Sequence, residues 1–428
     1  MQAIGIDIGT TSICGVVIDV ESGKLLRSVT KNSDAFIATE NNWEKIQSVE
    51  KIISIADSIL DECISDETAV IGVTGQMHGI VYTDCNGKAV SPLYTWQDGR
   101  GNQPYKGTTY AGFLNSHSGY GNVTDFYNRE NGLVPETAVN FCTIHDYLVM
   151  HLCGLKKALV HTSDAASFGC FDISRNTFSY ENGVEVVADY RIAGKYKGIP
   201  VSVAIGDNQA SVLSSLSGEE DILLNVGTGS QISLISDHII EADNIETRPY
   251  FEGKYLIAGS ALCGGRAFAV LKEFYRKILS YIQPVEENDV YGIMAKMLAS
   301  GAAATISVDT RFSGSRTDET IRGSITGIST ENFTPEELTR GVLEGMTNEL
   351  YDMYASMGVK KSGVVGSGNG IRKNKALTQI AADKFGSNVK IPCHTEEASF
   401  GAAMFGMLAA GICKTAAEAQ GFIRYIAE

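Results

Sequence analysis

The run Asp7-Ile8-Gly9-Thr10-Thr11-Ser12 sets a carboxylate, a glycine and three hydroxyls in succession at the end of a β-rich apolar stretch, Ala3 to Ile8. A turn of this make-up between two strands gathers backbone N–H groups and hydroxyls at one point, which suits a phosphate. Asp7, at the strand end, is placed to hold a hydrated Mg²⁺. A plain hairpin turn is the alternative. Asn225-Val226-Gly227-Thr228-Gly229-Ser230 is a near copy far along the chain. Taken singly this second loop reads more readily as a plain turn; two such loops, each at the start of a half, would clamp a polyphosphate from two sides. Gly366-Ser367-Gly368-Asn369-Gly370 precedes a helical pattern with G-x-G-x-G spacing, and no G-x-x-x-x-G-K-[ST] occurs. That spacing departs from the dinucleotide fingerprint and fits a close-approach turn for an adenosine.

Two further groups of residues bear on the acceptor side of such chemistry. Gly206-Asp207-Asn208-Gln209 follows the apolar strand Val201 to Ile205. A carboxylate there is a candidate general base, and capping of a helix over 209–216 is the competing reading. Thr74-Gly75-Gln76-Met77-His78-Gly79 and Thr95-Trp96-Gln97-Asp98-Gly99-Arg100 mix hydrogen-bonding side chains with glycine, and the second holds one of the two tryptophans. Polar side chains beside an aromatic surface suit a polyol; a polar turn around a half-buried Trp is the plainer reading. His78 has no partner at metal-ligand spacing, so a ligand role is not expected.

These segments need strands and helices to position them. Ile13 to Val20 reads as the return strand of the first turn and Ala69 to Thr74 as a buried strand. Residues 45–64 carry apolar side chains on one helical face: Ile46, Val49, Ile52, Ile53, Ala56, Ile59, Leu60 and Cys63. The second half opens alike, with strand Leu223 to Val226, turn, return strand Gln231 to Ile235, strand Tyr255 to Ala258 and a helix over 268–282. Thr334-Pro335-Glu336-Glu337 is a legible helix start, and another helix pattern runs from Asn374 to Phe385. The repeated grammar predicts a duplicated α/β architecture, with a boundary at 216–221.

The chain has 428 residues, enough for two or three domains of roughly 100–200 residues. A net charge of −15 argues against nucleic acid as a partner, though not against a small phosphorylated ligand held by backbone N–H groups. Nine cysteines without a Cys-x-x-Cys read as reduced thiols. The apolar stretch Phe400 to Ile412 is too short and glycine-interrupted to span a bilayer, and the opening residues carry no secretory signal. The expectation is a soluble cytoplasmic protein with no membrane or nucleic-acid partner.

Taken in order, GIDIGTTS, GVTGQMHG, YTWQDGR, GDNQAS, NVGTGS and GSGNG resemble the motifs of the FGGY carbohydrate kinases over essentially the whole chain. TWQDGR, TIHDYLVMHLCGL at 143–155, SDAASFGCFD at 163–172, ALCGG at 261–265 and GSGNGIRKN at 366–374 are more similar to the sedoheptulokinase branch than to xylulokinases, whose tryptophan segment usually reads W-N-D-x-R. The K-x-x-W-L signature is absent before His145-Asp146, and Gly341 stands where a second signature prefers Ala or Ser.

The resemblance implies an α/β fold of two ribonuclease-H-like domains of actin/hexokinase type, 1–216 for sugar and 217–428 for ATP. Each would hold a mixed five-stranded sheet, with a nucleotide and sugar cleft between the domains. It implies ATP and Mg²⁺ as cofactors and phosphorylation of a ketose at a terminal hydroxyl, sedoheptulose first. Xylulose, ribulose, glycerol and sugar acids are the alternatives, a non-kinase actin-like ATPase a more distant one, and a homodimer is admitted. Asp207 would be the catalytic base and Asp7 the metal-positioning group. Gln76, Met77, His78, Trp96, Gln97, Asp98 and Asn208 would contact sugar. Gly9, Thr10, Thr11, Ser12, Gly227, Thr228, Gly229, Gly265, Gly366, Gly368 and Asn374 would contact ATP.

Overall fold

A computed structural model of the chain describes residues 1–283, 286–300, 303–315, 318 and 320–426. Its backbone contacts form two compact units. The first holds Met1–Ser217, Arg248–Lys254 and Glu396–Ile423; the second holds Gly218–Thr247, Tyr255–Thr395 and the chain from Arg424 onward. The expectation of 217–428 as one continuous domain is therefore corrected: two later segments pack with the first unit.

In the first unit, β1 (Gln2–Ile8), β2 (Ser12–Asp19) and β3 (Leu25–Asn32) form a meander. Helix α1 (Val49–Cys63) then leads to β4 (Thr68–Gly75). Further along, beyond several short elements, lie helix α2 (Ile144–Cys153), the hairpin β5 (Ile192–Tyr196) and β6 (Ile199–Gly206), and helix α3 (Asp207–Ser215). The strand order is β5-β6-β4-β1-β2-β3. Six strands stand where five were expected, because Lys197 (φ 50°) and Gly198 (φ 85°) make a two-residue turn that folds β5 back on β6. Helix α1 starts later than the apolar pattern suggests. The Ser48 hydroxyl accepts the Lys51 N–H (3.2 Å) and caps it there, leaving Ile46 and Gln47 to pair with Tyr94 and Leu93 as a short ribbon. Its apolar face (Val49, Ile52, Ile53, Ala56, Ile59, Leu60, Cys63) is buried on the sheet. Each such aliphatic side chain contributes roughly 1.5–3 kcal/mol on burial.

The second unit repeats the opening with β7 (Asp221–Val226) and β8 (Ser230–Ser236), followed by β9 (Ile245–Pro249), of which Arg248 and Pro249 count with the first unit, β10 (Tyr255–Ala261) and helix α4 (Gly264–Ser280). Helix α5 (Pro335–Ser356) starts where the sequence marks it, with the Thr334 hydroxyl accepting the Glu337 N–H. Then come β11 (Gly363–Ser367), helix α6 (Lys375–Phe385) and β12 (Val389–Lys390). The order is β9-β10-β8-β7-β11-β12, again six strands. Ile222, Leu224, Ile232, Leu234 and Ile257 from the sheet pack with Leu271, Val342, Met346 and Leu350 from α4 and α5.

Helix α7 (Glu397–Ala409) belongs to the first unit and lies on β1 and β4. Glycine permits the contact. A Cβ on Gly5 would sit 1.8 Å from the Ser399 carbonyl oxygen, and one on Gly72 would sit 1.8 Å from that of Ala402. Many of the chain's glycines thus mark close backbone approaches. Among the described residues, no helix is long and apolar enough to cross a membrane.

Candidate functional site

The first unit gathers its chemistry at one sheet edge. Strands β1, β4 and β6 are parallel neighbours in register, with Gly75 opposite both Ile8 and Gly206. Gly9, Gln76 and Asp207 therefore leave three adjacent strands at their carboxyl ends, the edge where α/β sheets bind ligands. The edge is tied across the strands. Gln76 N–H donates to the Ile8 carbonyl (2.8 Å), the Thr74 hydroxyl to the Ile205 carbonyl (2.7 Å), and Gly206 N–H to the Ser163 hydroxyl (3.1 Å).

Asp207 is the first residue of α3, whose cap position is Gly206. The capping alternative is thereby set aside. Burial pushes its carboxyl up to about 6, against the pull of His145 and Arg248. Asp7 rises further, to about 7, through burial first and then the charge of Asp207. Its Oδ1 is buried without a hydrogen-bond partner. An acceptor left open in a carboxylate-rich site suits a cation, although among the described residues no three potential ligands cluster as a metal site.

His145 lies in the same buried region, Nε2 3.0 Å from Asp164 Oδ1. Burial works against its charged form, but the neighbouring Asp164, together with Asp146 and Asp207, outweighs it and the ring rises to about 9. It packs against the segment expected to bind sugar: a Cβ on Gly75 would lie 3.0 Å from Nδ1. In the sequence, His145 and Asp164 stand inside the longer segments at 143–155 and 163–172, with no sign of a role. A His and an Asp far apart in sequence carry no pairing signal.

The polyol segments divide on inspection. Gln76 is buried and Trp96 is 46% exposed. Trp96 Nε1–H donates to the Thr10 hydroxyl (3.0 Å), which donates to Gln76 Oε1 (3.3 Å). The Thr10 side chain, expected on ATP, thus bonds to residues expected on sugar. Gln97 is exposed. Asp98 is buried, accepting from Lys45 N (2.9 Å) and from Arg100 N, Nε and Nη2 (3.0, 2.6 and 3.2 Å). Those bonds use up its lone pairs, so Asp98 shapes the turn that presents Trp96 and Gln97. Met77 is buried beneath Gly206, where a Cβ would meet its Cε at 2.6 Å. His78 has φ 72°, bonds through Nδ1 to the Ser167 carbonyl (2.8 Å) and stacks on Tyr120 at 4.2 Å. Asn208 follows Asp207 in the first turn of α3.

Around the first phosphate-type turn, Thr11 is exposed, while Thr10 and Ser12 are half-buried. Ser33 N–H fixes the Thr11 carbonyl (2.9 Å).

The second unit builds its own cluster. Gly227 and Thr228 are exposed at the tip between β7 and β8, with Gly229 half-buried. Gly265 N–H donates to the Gly227 carbonyl (3.0 Å) and Arg266 N–H to that of Thr228 (2.9 Å), stitching the start of α4 onto the turn. The Gly265 amide is thus spent within the protein. Gly366 is buried in β11, where a Cβ would strike Ile371 and Val389, so it serves packing. Gly368 (φ 78°) lies against Val226, 2.6 Å from its carbonyl oxygen for a Cβ, and Asn225 Nδ2 donates to the Ser367 hydroxyl (2.8 Å). The third glycine motif and the second phosphate-type turn therefore form one surface. Asn374 accepts the Leu377 N–H (3.2 Å) as the cap of α6, the part a nucleotide contact was expected to fill.

The FGGY carbohydrate-kinase N-terminal domain model matches residues 2–109 and the C-terminal domain model residues 223–410, together well over half of the chain. The sedoheptulokinase of Mus musculus is 27% identical, covering 94% of this chain and 96% of that one. That of Homo sapiens is 28% identical over 88% and 91%. A solved xylulose kinase from Rhodospirillum rubrum superposes with a TM-score of 0.84 at 18% identity, covering all of this chain and 93% of its own, a likeness of fold. Two domain models in chain order, the shared fold and the motif-bearing edges lead to one conclusion: the chain belongs to the FGGY family of carbohydrate kinases.

Proposed function

We propose that this kinase transfers the γ-phosphoryl of ATP to a terminal hydroxyl of a ketose, with sedoheptulose to sedoheptulose 7-phosphate as the physiological reaction in the cytoplasm. The observation that carries the reading is the edge of the first unit, where Gln76, Asp207 and the Gly9–Ser12 turn leave three neighbouring strands. Asp207 would take the proton of the attacking hydroxyl. Its raised carboxyl is better matched to that task than an ordinary aspartate, because a base works best with a pKa near the operating pH. Gln76, Trp96 and Gln97 would hold the polyol, and the turns at Gly9–Ser12 and Gly227–Gly229 would receive phosphates. Asp7 would hold Mg²⁺ through water; the bound metal would offset charge on the β- and γ-phosphates. Little covalent chemistry is asked of the protein, so positioning and electrostatics carry the rate.

The choice of sedoheptulose is supported by the likeness to two sedoheptulokinases along nearly the whole chain. The test is an ADP-release panel of sedoheptulose, xylulose, ribulose, glycerol and sugar acids with ATP and Mg²⁺. The highest kcat/KM is expected for sedoheptulose. A higher value for any other acceptor overturns the assignment but not the kinase.

A further inference from the structure

Gln47 has no place in any motif, yet it is completely buried beside the sugar segments. The ribbon Ile46–Gln47 pairs with Leu93 and Tyr94, which lead into Trp96. Gln47 Nε2 donates to the Thr10 carbonyl (2.7 Å), and its Oε1 accepts from Gln76 Nε2 (3.0 Å). Gln76 Oε1 in turn accepts the Thr10 hydroxyl (3.3 Å), which itself accepts the Trp96 indole N–H (3.0 Å). The bonds close a ring of alternating donors and acceptors through Gln47, Gln76 and Thr10, with Trp96 attached.

Such a ring has one consistent sense. The Thr10 carbonyl can only accept, so Gln47 must turn its NH₂ toward it and its oxygen toward Gln76. Gln76 must then present NH₂ to Gln47 and oxygen to Thr10. An amide alone can flip, exchanging donor and acceptor at little cost, and the sugar hydroxyl it meets must then reverse its own role as donor or acceptor. We infer that Gln47 is a positioning residue for sugar recognition, fixing which end of the Gln76 amide and which face of Trp96 meet the substrate. The inference rests on the reading that Gln76 touches the sugar. Deleting the Gln47 amide should therefore act on the ketose and not on the nucleotide, although Thr10 belongs to a phosphate-type turn.

Gln47→Met, Gln76→Met and the double variant provide the test, by ketose KM, ATP KM and melting temperature. Each single variant is expected to raise the ketose KM by roughly 10–100-fold, the scale of one or two lost hydrogen bonds. ATP KM should stay within about twofold, and the double variant should be no worse than the worse single one. Gln47→Glu is the second variant. Burial drives it toward the neutral acid, which can donate to the Thr10 carbonyl and accept from Gln76 as the amide does. Its ketose KM should be close to wild type at low pH and climb as the acid ionises, with ATP KM flat. A raised KM in Gln76→Met beside a normal KM in folded Gln47→Met overturns the inference alone. Additive single effects, or a pH-independent ketose KM in Gln47→Glu, also overturn it. An unchanged KM in Gln76→Met overturns the sugar-site reading and the inference with it.

Discussion

At the scale of single residues, Asp207, the proposed base, joins activity to stability with opposite signs. Its carboxyl ordinarily ionises at 3.8 and in the fold is pushed up to about 6, first by burial. Folding thus favours the neutral acid; the stability it contributes is full below about pH 4 and lost as the pH rises through about 6. The proposed role as base asks for the ionised form. Asp207→Asn keeps the size and removes the base, so kcat should fall by roughly 10²–10⁴ while the melting temperature at pH 8 rises. In the wild type, kcat/KM should decline on the acid side below about pH 6. Near-normal turnover in Asp207→Asn would remove it from the mechanism; a lower melting temperature would contradict the burial argument. His145 carries the same sign, at a higher pH. Its raised ring contributes stability that is lost as the pH climbs through about 9.

Residue types alone separate some functions from structure only partly. Gly366, Gly368 and Asn374 sit in one recognisable motif, but the fold uses them differently: core packing, a left-handed turn on Val226 and a helix cap. Asn374→Ala should therefore lower stability by roughly 1 kcal/mol and leave ATP KM unchanged. Thr228→Val, at an exposed tip, should keep stability and cost roughly 1.5–3 kcal/mol in ATP binding or turnover. A nucleotide defect in Asn374→Ala, or none in Thr228→Val, would reverse these assignments.

At the scale of elements, periodicity made α1 and α5 legible, because one apolar face or one cap defines each locally. The strand–turn–strand openings of both units were equally plain. What the sequence could not convey is partnership. Helix α7 reads as a glycine-interrupted apolar stretch, and nothing local announces that it lies on strands near the start of the chain. Gln47 was invisible for the same reason: its four-residue network is spread from Thr10 to Trp96. The close seat of α7 can be tested directly. Gly72→Ala would place a methyl 1.8 Å from the Ala402 carbonyl oxygen, and Gly5→Ala one equally near that of Ser399. Overpacking against backbone costs roughly 1–3 kcal/mol or more, so both should lower the urea midpoint clearly. Gly218→Ala is the control, since a Cβ there meets nothing within 4 Å. Equal midpoints for all three would mean that α7 slides freely over the sheet.

At the scale of the whole molecule, the residues proposed for the site are divided between the two units. Asp7, Gln76, Trp96 and Asp207 belong to the first, Thr228 and Gly368 to the second. On the proposed reaction, residues of both units act on one phosphoryl transfer, for which water is the competing acceptor. A kinase so divided gains by letting the sugar complete the site, because transfer then waits for the right acceptor. Sugar binding should accordingly tighten binding of a non-hydrolysable ATP analogue. Reciprocity then requires the analogue to tighten sugar binding by the same factor. ATP hydrolysis without sugar should be far slower than transfer with it. Calorimetry in both orders of addition measures the two factors, and ADP release with and without ketose measures the rates. Equal nucleotide affinity with and without sugar, together with hydrolysis as fast as transfer, would show that the units work independently and that the acceptor is not sensed.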